Sequence, residues 1–255
     1  MSVNSPTSPS STSRHSRLYT RLFVDERIVP AATQMKLYVV AGSLIFLGLV
    51  SLLTLWWSVL QPELLTTMDT AIQAWLEDGQ TETLTVIMVV VTEIFGPIAL
   101  PIIVLAVTVT WGVRAEHSWR PFLLATGILT GVIIVQIITR VVGRSRPPVD
   151  LMLYGPDMTF SFPSGHVLGV ADFFLIVTFL VFSRRNNPRM AAVSYTVATL
   201  LVVATALSRL YLGYHWTSDV LASMALSLVI LGSVIAVDTY RTTRVIPGAH
   251  RSVPA

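Results

Sequence analysis

Three short segments of the chain carry side chains that could hold and transfer a phosphoryl group. They are residues 140–147 (RVVGRSRP), 163–166 (PSGH) and 208–219 (SRLYLGYHWTSD). Together they supply arginines, two histidines and an aspartate. Arginine forks bind phosphate oxygens in a bidentate manner and neutralise charge that develops in a transition state. A histidine can attack phosphorus or transfer a proton, so this inventory is sufficient for phosphoryl transfer.

The second segment has the composition of a helix N-terminus. Ser164 suits the N-cap position, and Gly165 lets backbone N–H groups approach a ligand closely. Helix N-termini bind phosphate through their free N–H groups and the helix dipole. His166 follows in the first turn, where it could protonate a leaving oxygen and later activate water. Taken alone, this segment could equally be an ordinary helix start.

The third segment places a histidine and a carboxylate on one helix face. His215 and Asp219 are four residues apart, the spacing of neighbours on a helix surface. A carboxylate there can accept the Nδ1 proton, which leaves Nε2 free to attack phosphorus. We therefore predict that His215 is a nucleophile and Asp219 its partner. For any single residue of these segments, a structural histidine or a headgroup-binding arginine is the simpler interpretation.

The elements that must position these side chains are long and apolar. The chain is 53% hydrophobic and only 12% charged, whereas soluble domains are about 25% charged. A hydrocarbon core about 30 Å thick takes roughly 20 helical residues. Six apolar runs approach or exceed this length: 37–60, 84–113, 122–139, 167–183, 190–208 and 220–237. The pattern predicts an all-α polytopic membrane protein with six transmembrane helices.

Two acidic residues fall inside these runs, Glu93 and Asp172. An acid within a span costs about 2.5–3.5 kcal/mol on insertion scales, so it usually has a role there. One interpretation is a proton path or a support for the site. The other, which we favour, is a structural hydrogen bond to Ser or Thr on a neighbouring helix.

The domain organisation follows from the apolar runs. We assign residues 1–30 to a disordered cytoplasmic tail, because its first part is rich in Ser, Thr and Pro. Residues 31–240 form the six-helix domain, and residues 241–255 form a cytoplasmic C-terminal tail. We expect no cleaved signal peptide, since the first apolar run is too long for an h-region. The absence of cysteine excludes disulfides and thiolate metal sites.

Basic residues predict the orientation in the membrane. Thirteen of the seventeen lie before the first run or after the second, fourth and sixth runs. The positive-inside rule assigns that side, with both termini, to the cytoplasm of a cell-membrane protein. The net charge of +3 therefore indicates topology rather than a nucleic-acid partner. The other four basic residues lie on the extracytoplasmic side, where the topology gathers all three segments: Arg140, Arg144, Arg146 and Arg209.

The three segments resemble the tripartite signature of the type 2 phosphatidic acid phosphatase superfamily. That signature reads Lys-x6-Arg-Pro, then Pro-Ser-Gly-His, then Ser-Arg-x5-His-x3-Asp. The second and third parts match completely, and the resemblance covers about residues 85–237. In the first part, Arg146 and Pro147 match, but Thr139 stands at the lysine position. The neighbouring Arg140 is our candidate for supplying the missing charge.

The resemblance implies a role for each matched residue. His215 would form a phosphohistidine, His166 would act as general acid, and Asp219 would support His215. The phosphoryl group would be bound by Arg146, Ser164, Gly165 and Arg209, with Arg140 added as the conjectured substitute. No metal cofactor is implied.

The implied activity is hydrolysis of a phosphomonoester or pyrophosphate on a membrane lipid. The candidates are undecaprenyl pyrophosphate, phosphatidylglycerophosphate and phosphatidic acid, and an outward-facing site makes the first of these our preferred substrate. Two alternatives remain open. One is a membrane phosphotransferase that passes the phosphoryl group to a lipid or sugar, and the other is a non-catalytic protein that binds lipid phosphate. Vanadium haloperoxidases share the signature, but those are soluble.

Overall fold

The computed structural model describes residues 25–245, apart from the side chains of residues 62–66. Most of the two assigned tails, residues 1–24 and 246–255, lies outside the described residues. Within residues 25–245 the chain forms eight α-helices and two short strands, in this order: β1 Arg27–Val29, α1 Ala31–Val59, α2 Pro62–Asp78, α3 Glu82–Ile94, α4 Ala99–Arg114, α5 Trp119–Val142, α6 Gly165–Phe182, α7 Pro188–Tyr211, α8 Thr217–Thr242 and β2 Thr243–Val245. A short 3-10 helix, Val149–Leu151, lies between α5 and α6.

Five helices are individually long and apolar enough to cross a membrane: α1, α5, α6, α7 and α8. The sixth apolar run is divided. Helices α3 and α4 meet at an angle of 43° across a short break, which contains Gly96 and Pro97. Proline lacks a backbone N–H and fixes φ, so it interrupts a helix ladder. With this pair counted as one bent span, the all-α, six-span prediction is confirmed.

Helix α2 lies between the first two apolar runs and was not predicted, because four acidic residues interrupt its apolar pattern. It begins with Pro62, a favoured residue for the first helical position, since the missing N–H would be unpaired there in any case. Asp69 and Gln73 are buried, whereas Met68 and Trp75 are exposed. The helix therefore buries polar side chains against the bundle and leaves apolar ones on its outer surface.

Helices α1 and α8 pack along one another over most of their length. A side chain at Gly48 would collide with the backbone of Ala225, and one at Gly232 would collide with that of Ala41. Small residues at such contacts let transmembrane helices approach closely. The strands extend this contact: β1 and β2 pair in parallel, with Ile28 opposite Arg244. The pair lies in the segments that we had assigned to tails and joins the two ends of the helical domain.

Helices α6 and α8 form the buried centre of the bundle. Leu168, Ile176 and Leu180 of α6 and Leu226 of α8 are almost fully buried, whereas α1 exposes large apolar side chains such as Phe46. A lipid-facing helix has this pattern, because hydrocarbon and not water surrounds it. The buried centre therefore supports the ends of the helices that carry the three segments.

The two acids within spans have different surroundings. Glu93 is exposed near the end of α3. Asp172 is buried in α6 with its carboxylate against Gly131 of α5 and close to Ser227 of α8. Within residues 25–245, neither Asp172 Oδ1 nor the Ser227 hydroxyl has a hydrogen-bond partner. A serine on a neighbouring helix is thus beside the carboxyl, and the role of Asp172 stays a prediction.

Candidate active site

The three segments meet at one end of the bundle, where α5 ends and where α6 and α8 begin. Helix α5 is capped by Gly143, whose φ of +61° is in the left-handed region. Glycine adopts this conformation without steric cost and commonly ends a helix in this way. The chain then leaves the helix axis, and both Arg144 and Arg146 contact residues at the start of α8.

His215 is buried directly before α8. Its Nδ1 lies 2.9 Å from the carbonyl oxygen of Ser161 and 3.6 Å from Asp219 Oδ2. A carbonyl oxygen can only accept, so Nδ1 carries the proton and Nε2 is unprotonated. We expected the Asp219 carboxylate to be this acceptor. The structure gives the shorter contact to the Ser161 backbone instead, with Asp219 as the neighbouring charge.

The surroundings keep the His215 imidazole neutral. Burial lowers the pKa of His215 to about 4, because the charged form is poorly solvated there. The Asp219 carboxylate opposes this effect, whereas the positive charges of Arg209 and Arg146 add to it. A neutral imidazole with a free Nε2 is the form that can attack phosphorus.

Arg146 lies against the nitrogen expected to attack. Its Nη1 is 3.1 Å from His215 Nε2 and donates to the carbonyl oxygen of Tyr214 at 2.7 Å. The guanidinium also reaches the loop before α6, where Nη2 lies 3.0 Å from Asp157 Oδ2. A phosphoryl group on Nε2 would therefore contact this arginine directly.

Arg209 approaches the same region from the end of α7. Its side chain is buried, Nη1 donates to Thr92 Oγ1 at 2.8 Å, and the guanidinium lies 4.2 Å above the Tyr214 ring. Its Nε has no hydrogen-bond partner among the described residues. Thr92 belongs to α3, and no sequence motif had singled it out. An arginine with an unused buried donor is well suited to binding an anion.

His166 lies in the first turn of α6, partly buried. It is within electrostatic range of Arg209, His215 and Arg146. In residues 25–245, no hydrogen bond holds its imidazole. A ring free of protein partners beside the candidate nucleophile can exchange a proton with a leaving group or with water.

Ser164 and Gly165 form the predicted start of α6. Ser164 is the N-cap residue and is fully buried, and its hydroxyl has no hydrogen-bond partner in the described part of the chain. A side chain at Gly165 would meet no protein atom within 4 Å. The glycine therefore leaves open space in front of the helix N-terminus, as an incoming anion requires.

Arg144, one of the four basic residues predicted on the side of the site, binds protein side chains. Its Nη1 donates to Asp219 Oδ1 and Ser218 Oγ, both at 2.6 Å. Its Nη2 donates to Asp69 Oδ2 at 2.7 Å. Asp69 also accepts from Ser218 N at 3.0 Å. Through Asp69, helix α2 thereby helps to hold Arg144 against Asp219. No spacing in the sequence indicated this contribution.

Arg140 is the one predicted phosphate-binding residue that the structure does not bring to this cluster. It is exposed near the end of α5, and its Nη1 donates to the carbonyl oxygen of Gln136 at 2.8 Å and to Gln136 Oε1 at 3.0 Å. Its proposed replacement of the missing lysine stays a prediction. Among residues 25–245, no group of three or more His, Cys, Asp or Glu side chains is arranged to hold a metal ion.

Part of the chain is similar to known proteins. Residues 120–243 match the model of the PAP2 superfamily. Phosphatidylglycerophosphatase B of Bacillus subtilis (strain 168) is 27% identical over 124 residues, which are 48% of this chain and 60% of that protein. Phosphatidylglycerophosphatase B of Escherichia coli (strain K12) is 35% identical over 88 residues, 34% of this chain and 30% of that protein. The matches thus span less than two thirds of each relative.

The fold is similar to that of a solved structure. A transmembrane PAP2-type phosphatidylglycerolphosphate phosphatase from Bacillus subtilis superimposes with a TM-score of 0.67 at 22% identity, covering 83% of this chain and 98% of that chain. The predicted family resemblance and the predicted fold are both confirmed.

Proposed function

From the match of residues 120–243 to the PAP2 superfamily, we propose that this chain is an integral membrane phosphatase acting on a lipid phosphomonoester or pyrophosphate. One observation carries the proposal: His215 Nε2 is unprotonated and lies 3.1 Å from Arg146 Nη1. A nucleophilic nitrogen beside a guanidinium is the arrangement that phosphoryl transfer needs.

In the first step, His215 Nε2 attacks phosphorus and the bond from phosphorus to the leaving oxygen breaks. His166 donates a proton to that oxygen, and Arg146 and Arg209 offset the charge on the phosphoryl oxygens. The phosphorylated imidazole is positively charged, and the nearby Asp219 carboxylate stabilises it. In the second step, His166 removes a proton from water, the water oxygen bonds to phosphorus, and the N–P bond breaks to release phosphate.

The substrate class is proposed at the level of a phosphate on a membrane lipid. The names of the two relatives make phosphatidylglycerophosphate the first substrate to test. Undecaprenyl pyrophosphate is our preference from the predicted outward orientation, and phosphatidic acid is the third candidate. We further propose that the site is extracytoplasmic in a cell membrane, as the distribution of basic residues predicts.

The test is phosphate release by the purified, detergent-solubilised protein from each of these three lipids, with EDTA present. We expect release from at least one lipid, unaffected by EDTA, and none from His215→Ala. A phosphorylated acceptor in place of free phosphate would indicate a transferase. Lipid binding without any turnover would support the non-catalytic alternative and contradict the proposal.

A further inference from the structure

Four hydrogen bonds and one ion pair to protein groups surround the Arg146 guanidinium. Nε donates to the carbonyl oxygen of Thr159 at 3.1 Å, and Nη1 donates to the Tyr214 carbonyl oxygen and faces His215 Nε2. Nη2 donates to Thr159 Oγ1 at 2.9 Å and pairs with Asp157 Oδ2 at 3.0 Å. A guanidinium has five donors, and a phosphate oxygen that comes onto Nη2 meets the side where the Asp157 carboxylate lies.

The five partners differ in how easily they can be displaced. The two carbonyl oxygens belong to the backbone, so they could leave Arg146 only if the chain itself moved. The contact to His215 Nε2 gives way when that nitrogen bonds to phosphorus. Asp157 is the one negatively charged partner, and its side chain keeps 30% of its exposure to solvent. A carboxylate oxygen on a guanidinium resembles a phosphate oxygen in charge and geometry.

The loop itself holds the Asp157 carboxylate in place. Oδ1 accepts from the backbone N–H of Thr159 at 3.0 Å and from its hydroxyl at 2.8 Å. These bonds engage one carboxylate oxygen and leave the other directed at Arg146. This ion pair keeps the largely buried Arg146 guanidinium paired with an opposite charge when no phosphate is bound. An unpaired buried charge would be costly.

We propose that Asp157 is an anionic placeholder, whose carboxylate occupies a phosphate-oxygen position on Arg146 in the empty site and yields it to the substrate phosphate. This inference rests on the proposed function. Because like charges repel, Asp157 weakens the binding of phosphate and returns to Arg146 when the product leaves. It sets the affinity of the site for phosphate and promotes release of inorganic phosphate.

A purely structural role for Asp157 leads to the opposite result. If the carboxylate only holds Arg146 in its catalytic orientation, removing its charge would loosen the guanidinium. Phosphate would then bind more weakly, and kcat would fall together with affinity. The direction of the change in phosphate affinity therefore separates the two roles.

The test is Asp157→Asn, which keeps the size of the side chain and an oxygen for Thr159 but removes the charge. The inhibition constant of inorganic phosphate against lipid hydrolysis should fall about tenfold, and KM should fall as well. Equilibrium binding of radiolabelled phosphate without substrate provides a second readout that does not depend on turnover.

The matched control is Asp150→Asn. Asp150 lies in the same loop, is exposed and makes no bond to Arg146, so both constants should remain at their wild-type values. Weaker or unchanged phosphate binding in Asp157→Asn, with a wild type that hydrolyses lipid phosphate, would overturn the placeholder and leave the function intact. A wild type that neither hydrolyses lipid phosphate nor binds phosphate would overturn both.

Discussion

Arg144 donates to Asp219 Oδ1 at 2.6 Å, a contact between two side chains 75 residues apart that fixes the carboxylate beside the candidate nucleophile. Asp219 is fully buried, and a buried carboxylate needs a partner of opposite charge. The guanidinium is itself held from its other side by Asp69. Arg144 thus acts through Asp219, whereas Arg146 and Arg209 face the position of the phosphate.

The first prediction concerns Asp69. Asp69→Asn should lower kcat about tenfold or more, because hydrogen bonds to charged groups contribute about 1.5–3 kcal/mol and the loss leaves Arg144 free to shift away from Asp219. KM should change little, since Asp69 does not contact the phosphate position. Asp78→Asn, an exposed acid on the same helix, is the control and should behave as wild type. A wild-type kcat in Asp69→Asn would show that Asp219 holds Arg144 without help from α2.

The second prediction concerns the two histidines. His215→Ala should abolish turnover and any acid-labile phosphoenzyme, because no other imidazole makes a contact with Arg146 among the described residues. His166→Ala should lose about 10²–10⁴-fold in rate, the usual contribution of a general acid–base group, and could still trap phosphate on His215. His117→Ala, at the opposite end of the bundle, should retain full activity. Near-normal turnover by His215→Ala would refute the phosphohistidine mechanism.

The third prediction is a pH dependence. Burial lowers the pKa of His215 to about 4, so protonation of this ring should not limit activity between pH 6 and 7. Below about pH 5 the imidazole becomes protonated, loses its lone pair at Nε2, and phosphoenzyme formation should fall. Rapid-quench measurement of phosphoenzyme formation from pH 4 to pH 8 tests this. A rate that already halves near pH 6.5, the ordinary value for histidine, would contradict the neutral, buried state of His215.

The fourth prediction concerns Thr139, which stands at the lysine position of the family signature. If Arg140 replaces the missing lysine, Arg140→Ala should lower kcat about ten- to a hundredfold, the value of a charge-assisted hydrogen bond of about 1.5–3 kcal/mol. Thr139→Lys in that background should then recover part of the rate. In the structure the Arg140 guanidinium is bonded to Gln136, so this role requires it to leave that residue when substrate binds. A wild-type rate in Arg140→Ala would identify it as an interfacial anchor instead.

The fifth prediction tests the orientation. The chain has no cysteine, so single cysteines can be introduced and labelled without background. Cysteines at Gln80 or Tyr154, on the end of the bundle that carries the site, should react with an impermeant reagent outside intact cells. A cysteine at Asn187, at the other end, should react only after permeabilisation. The reverse pattern would place the site in the cytoplasm and remove the reason for preferring an extracytoplasmic substrate.

The sequence by itself determined those features that depend on residues close together in the chain. Hydrophobicity over about 20 residues predicts a span, because the bilayer sets the length of an apolar helix. The spacing of His215 and Asp219, and the composition of residues 163–166, predict a helix face and a helix N-terminus. These local signals were sufficient for the bundle, for its family resemblance and for most of the candidate phosphate-binding residues.

Only the tertiary structure decided which distant groups support them. Asp69, Thr92 and the Ser161 carbonyl contact Ser218, Arg209 and His215 across 149, 117 and 54 residues of chain, respectively. Such contacts depend on how the helices pack and on the path of the loops between them. Neither the packing nor the loop path produces a periodic pattern in the sequence. The backbone carbonyl of Ser161 could not have been anticipated from residue types at all, since every residue has one. The ion pair between Asp157 and Arg146 likewise depends on the position of the loop before α6, which the sequence does not predict.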